Sequence, residues 1–188
     1  MIKHISGKIL LGACALFLQF STAQAQNPES TRALFPDANV AYSSYEKVLT
    51  LMKKDGIPYA ESEYNIEMMM LTDKNSNMIS RYRVYHSGYS ELANLDAYTK
   101  VPTAKNKYRN VKVQDYKTTS STSSNVFYDD NKESSFDFPN LVQDAVACVN
   151  YKLKHKDAHL LMPFYIPDNL PIHKAQFRVE VPEGIFIK

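Results

Sequence analysis

The stretch Asn125-Val-Phe-Tyr-Asp-Asp-Asn-Lys-Glu-Ser-Ser-Phe-Asp-Phe-Pro-Asn-Leu141, read with Phe177-Arg-Val-Glu-Val-Pro-Glu-Gly184, decides the fold class. Val126 to Tyr128 is a short apolar run with strand-forming residues, and Asp129 to Glu133 has the composition of a turn. Phe136 and Phe138 flank Asp137 before Pro139. Ala145, Ala147, Val149, Tyr151 and Leu153 then recur at every second position, with Asn150, Lys152 and Lys154 on the opposite side. Side chains alternate across a strand, so this is a long strand with one buried face. Pro163, Pro167 and Pro171 punctuate a crossover, after which Phe177, Val179 and Val181 alternate with Gln176, Arg178 and Glu180. The order is strand, turn, strand, crossover, strand.

Upstream the same period returns. Val48, Leu49, Leu51 and Met52 fit a helical stripe as well as an extended run, but Asp55-Gly56 follows at once. Asp-Gly between two apolar runs is a strong hairpin signal, so Tyr45 to Lys54 is predicted as strand. In the second arm Tyr64, Ile66, Met68 and Met70 share one face and Asn65, Glu67, Met69 and Leu71 the other. Met68 to Leu71 is apolar on both faces and is expected to pass under a neighbouring element. Asp73 to Asn77 reads as a turn. Met78 to His86 reads as a strand with Tyr82 and Val84 on one face and Arg81, Arg83 and Tyr85 on the other. Ser87 to Ala104 shows no clean period and is expected to be loop with a short strand or turn of helix. Val111 and Val113 mark a further strand. Thr118 to Ser124, all Ser or Thr, reads as a loop or exposed edge. Many short strands with no comparable helical stripe predict a mostly β protein, an antiparallel β-sandwich. Pro182-Glu183-Gly184 turns the chain into Ile185-Phe-Ile187, the expected start of another strand, so the sandwich is expected to be incomplete at its C-terminus.

The N-terminus reads differently. Lys3, His4 and Lys8 precede an apolar run from Ile9 to Phe20, and Ala23-Gln24-Ala25 supplies small residues for cleavage. This is a secretory signal peptide over 1–25, with cleavage after Ala25. Leu11-Gly12-Ala13-Cys14 resembles a lipoprotein box, but only Ile9 to Ala13 would remain as its apolar region, so lipidation at Cys14 is the weaker reading. The run is too short to span a bilayer, and no other stretch is apolar enough. The expectation is an exported protein of periplasm or cell surface with no transmembrane segment in the mature chain. Residues 26–34 are expected to be a flexible lead-in, and 35–188 one sandwich domain.

Of 22 basic side chains the signal holds Lys3 and Lys8, leaving 20 against 20 acidic ones. Neutrality argues against a nucleic-acid partner, which needs a basic surface to displace counterions. Cleavage leaves Cys148 alone, which excludes an internal disulfide. Cys148 is also the one candidate nucleophile, but it sits in the apolar run Ala145-Val-Ala-Cys-Val149, where a buried structural thiol is expected. His155 and His159 have the i, i+4 spacing of a helical metal site with Asp157 between them, but the surrounding residues read as a strand end and turn, which removes the helix geometry. Asp129, Asp130, Asn131 and Glu133 offer oxygen ligands for calcium without the spacing of an EF-hand, and any tight turn uses these residue types. The 13 tyrosines are read as cross-strand packing with wet hydroxyl tips rather than a sugar platform, since Trp is absent. No catalytic, cofactor-binding or metal residue is assigned, and no cofactor is expected.

The succession Phe35-Pro-Asp-Ala38 with Val40 and Tyr42, Asp55-Gly56, Tyr82-Arg-Val84, Tyr128-Asp-Asp130, Phe138-Pro139, Val149-Asn-Tyr151 and Phe177 to Gly184 resembles a known family. It is similar to the N-terminal β-sandwich domain of unknown function in bacterial transglutaminase-like proteins. The order of the elements, from Phe35 to Gly184, carries the resemblance. It implies a non-catalytic accessory or scaffold domain whose partner is a transglutaminase-like, papain-like cysteine domain, downstream or separate and absent from this chain. The alternative is a stand-alone binding module that takes an extended peptide on a sheet edge.

Overall fold

The computed structural model describes residues 28–74, 77–104, 107–120 and 130–184. The expected signal peptide with Cys14, the strands expected over Val126 to Tyr128 and at Ile185 to Ile187, Asp129, and Ser121 to Ser124 lie outside them.

The hairpin forms as its turn requires. β1 (Val40–Lys54) and β2 (Ile57–Met70) are joined at Asp55 and Gly56, with φ of 51° and 85°. Positive φ at both central residues gives the turn whose twist matches paired strands, and Asp-Gly accommodates it. β3 (Arg81–His86), β4 (Ser90–Thr103), β5 (Lys107–Lys112), β6 (Lys117–Ser120), β7 (Lys132–Asp137), β8 (Val146–His155) and β9 (Ala175–Glu180) follow. They form a six-stranded sheet in the order β5-β4-β8-β2-β1-β9 and a three-stranded sheet in the order β3-β7-β6. The protein is mostly β, with two sheets of mostly antiparallel strands, consistent with a β-sandwich.

The core between the sheets uses the alternating residues. Ile66, Met68 and Met70 of β2 and Ala147 and Val149 of β8 meet Ile79, Phe136 and Phe138 from the small-sheet side. The opposite face of the large sheet is buried at one end only, where Met69, Leu71, Val146 and Cys148 pack under Phe35 and Ala38. Met68 to Leu71 is thus apolar on both faces because it is covered on both.

Several expectations change. First, the lead-in is ordered from Pro28: α1 (Pro28–Leu34) is a helix with Thr31 buried and Arg32 ion-paired to Asp144. A polar helix forms here because its following residues, Phe35 and Ala38, anchor it on the sheet. Second, Met78 to Ser80 belongs to a single helical turn, α2 (Asn77–Ser80), which puts Ile79 into the core before β3 begins. Third, Ser87 to Ala104 is mostly strand. β4 lies between β8 and β5, and a bulge between Leu92 and Asn94 shifts its inner positions from Leu92 to Leu95, Ala97 and Thr99, which hides the period. Glu133 is likewise inside β7 rather than in a turn. Fourth, β9 runs parallel to β1, so the sheet is not wholly antiparallel. β8 already points along β1, so the chain must return over 156–174 before β9 can enter. Such a return needs a long connection, which the prolines supply.

Candidate functional site

Cys148 lies in one cross-sheet row with Glu67 of β2 and Tyr98 of β4, on the face under α1. It is 1% exposed, and its Sγ is 3.7 Å from the Val146 carbonyl and 3.9 Å from Glu67 Oε1. Lys100 Nζ donates to the same Glu67 oxygen at 2.6 Å. Burial pushes the thiol up to about 12; Lys100 opposes the shift and Glu67 adds to it. The thiolate is the nucleophile, so this geometry holds the sulfur inert at neutral pH.

His155 and His159 are not brought together. His155 ends β8 with Nε2 2.8 Å from Ser62 Oγ and Nδ1 2.9 Å from Ser90 Oγ. His159 is exposed in a short turn, where Nδ1 lies 2.8 Å from Asp157 Oδ1 and its backbone N–H donates to the same oxygen. The acidic turn diverges too. Asp130 Oδ2 accepts the Gly88 N–H at 2.7 Å, while Glu133 pairs with Arg83 Nε at 3.2 Å. A Cβ at position 88 would stand 2.4 Å from Asp130 Oδ2, so glycine is what permits this approach. His86, Gly88, Glu91, Asp130 and Lys132 line a cleft of ≈ 360 Å³ there. Glu91 is committed to Lys156 at 2.7 Å.

The tyrosines pack across strands, but some hydroxyls are not wet. Tyr64 and Tyr151 stack at 4.4 Å, and Tyr82 and Tyr151 hydrogen-bond to one another in the interior. Burial holds Tyr82 and Tyr151 well above the usual phenol range.

One constellation escaped sequence reasoning. A bulge between Tyr42 and Ser44 turns Tyr45, Lys47, Leu49 and Leu51 onto the inner face, where Lys47 is 7% exposed. Its Nζ lies 5.2 Å from the Tyr64 ring, 5.4 Å from Phe164 and 5.6 Å from Phe177. The rings attract the ammonium through their negative faces, while burial lowers its pKa. Phe164 comes from the crossover and stacks on Phe177 at 4.6 Å, so this box pins the crossover over the sheet. Only the bulge could have signalled it, and a bulge leaves no residue signature here.

Around this box the surface changes character. The outer face of the large sheet carries ion pairs, including Lys152 with Glu61 and Glu63, Lys174 with Glu46 and Arg178 with Glu180. The crossover instead exposes Leu160, Met162 at 79%, Tyr165 at 72% and Ile166.

The comparisons place the fold. No curated protein matches the chain. Of 13 matching solved chains, one is described as a "putative protease" from Parabacteroides distasonis. It superposes with a TM-score of 0.64 at 18% identity, over 78% of this chain and 29% of that one. The chain therefore spans less than a third of that protein's length, and at this identity the likeness is one of fold. Residues 59–188 match the family described as a domain of unknown function with solved structure, DUF3857, and the chain belongs to that family.

Proposed function

We propose that the chain is an exported, non-catalytic sandwich domain that serves as accessory or scaffold to a transglutaminase-like cysteine domain. The observation that carries this reading is the exposed apolar crossover: Leu160, Met162, Tyr165 and Ile166 stand in water on one short segment. Clustered apolar exposure of this kind marks interaction surfaces. The buried Cys148, with its thiol pushed up to about 12, supports a role without nucleophilic catalysis. The longer length of the Parabacteroides protein supports a partner domain.

The test is binding. A transglutaminase-like domain encoded past codon 188 or in an adjacent frame should bind the purified chain. Tyr165→Asp and Met162→Asp should weaken that binding at least about tenfold without changing chain stability, since both side chains are exposed. Absence of such a domain from the locus, or binding indifferent to both substitutions, overturns the reading. N-terminal sequencing of exported protein should begin at Gln26.

A further inference from the structure

Among the described residues the large sheet runs from β5 to β9, five strand spacings or about 24 Å apart. β9 leads on to Gly184 and the strand expected at Ile185 to Ile187, so β5 lies on the side of the sheet away from that continuation. β5 reads Lys107-Tyr-Arg-Asn-Val-Lys112, with three cations and no acid, and only Val111 is not exposed. Elsewhere on this sheet cations meet carboxylates: Lys100 pairs with Glu67, Lys152 with Glu61 and Lys156 with Glu91. Among the described residues Lys107, Arg109 and Lys112 form no ion pair.

The ladder fixes what this edge offers. The Val113 N–H donates to the Ala97 carbonyl at 2.9 Å, which makes Val113 and Ala97 a hydrogen-bonded pair. Bonded and unbonded pairs alternate in an antiparallel ladder. With Lys112 opposite Tyr98 and Val111 opposite Thr99, the bonded residues of β5 are Val111, Arg109 and Lys107. Tyr108, Asn110 and Lys112 therefore turn their N–H and C=O groups away from β4, out of the sheet. Lys107 and Arg109 share one face with Val111, and Lys112 shares the other with Tyr108. The Ala97 N–H turns to Tyr116 Oη at 2.9 Å, so the ladder stops beyond Lys112.

We propose that β5 is a docking edge for an extended acidic segment of another protein, which adds to the large sheet beside β5. The backbone of that segment bonds to Tyr108, Asn110 and Lys112, and its Asp and Glu side chains meet Lys107, Arg109 and Lys112. Lysine on an edge blunts it against strands of its own kind. The same cations select an acidic strand, because opposite charges across strands stabilise and like charges do not. A second copy cannot supply the strand from its own β5, since cations would then face cations. A nucleic acid is disfavoured, because three cations on one strand of a chain with near-balanced charge do not make the broad basic surface it needs. Tyr108 and Val111 add an apolar contact on each face. The exposed crossover lies at the other side of the sheet, where Phe164 stacks on Phe177 of β9, so this docking does not depend on the scaffold reading.

Fluorescence anisotropy of a short labelled peptide of alternating Glu and Val, titrated with the purified chain in about 50 mM salt, should show saturable binding. Raising the salt to about 300 mM should weaken it at least about fivefold, since exposed charges are screened. The counterpart peptide with Lys in place of Glu should not bind. Arg109→Glu with Lys112→Glu should weaken binding at least about tenfold and leave unfolding unchanged, because both side chains are exposed. Asn110→Pro should weaken it as much, because the lost N–H faces outward and not to β4. The amides of Tyr108, Asn110 and Lys112 should exchange fast in the free chain and at least about tenfold more slowly with peptide bound. Should the proline variant fail to fold, the charge reversal and the amide exchange decide. No binding of the Glu peptide, or binding indifferent to the charge reversal, overturns the proposal. Equal competition by polyphosphate of matched charge also overturns it, since charge alone would then be read. So does slow exchange at the three amides in the free chain, which would mean that the edge is filled from within.

Discussion

Tyr64 of β2 and Tyr151 of β8 stand directly opposite one another, their rings stacked 4.4 Å apart at 8°. The pair joins the core between the sheets to the Lys47 box, since Tyr151 bonds Tyr82 and Tyr64 faces Lys47. Tyr151→Ala should cost about 2–3 kcal/mol, below the range for a fully buried aromatic, because Tyr151 is only partly buried. A double-mutant cycle with Tyr64→Ala should return a coupling of about 0.5–1.5 kcal/mol. Urea unfolding of the four proteins measures both.

His155 is held below its ordinary value of 6.5, first by burial and then by the Lys47 charge. Such a group binds fewer protons folded than unfolded. Its contribution to stability is therefore complete above 6.5 and is lost as pH falls through the lowered folded value. His86 acts in the same direction, through burial and Lys132. Glu91 and Asp157, held below 4.5 and 3.8 by Lys156 and His159, act only in more acid solution. Unfolding midpoints should drop as pH is lowered below about 6.5, and His155→Gln should flatten that drop. Lys47→Met should move the His155 titration upward by NMR, because a facing positive charge is removed.

Cys148 should resist thiol reagents. A rise from 9.0 to about 12 lowers the thiolate fraction at neutral pH roughly a thousandfold, before burial restricts access. Labelling should be slow in buffer and fast beyond the unfolding midpoint. Rapid labelling of folded protein would return Cys148 to the candidate nucleophiles.

The α1 segment should stabilise the sheet through packing more than through charge. The Arg32–Asp144 pair is about one third exposed on both sides, so Arg32→Ala should cost no more than about 1 kcal/mol. Phe35→Ala should cost more, about 2 kcal/mol, because the ring covers Met69 and Leu71. Amide exchange should then quicken at Leu71 and Thr72, whose N–H groups donate to the Asn39 carbonyl.

The sequence by itself determined the β class, the Asp55-Gly56 hairpin, the inner faces of β2, β8 and β9 and the burial of Cys148. Each of these is local: alternation and turn chemistry act between residues a few positions apart. Tertiary structure alone decided the rest. Bulges at Ser43 and Ala93 reset the alternation of β1 and β4, which concealed β4 and moved Lys47 inward. A short polar helix, α1, became ordered because residues distant in sequence cover it. The parallel entry of β9 followed from the direction of β8, and that direction is a property of the whole sheet. The candidate surface, the exposed crossover, exists only once these long-range pairings are made.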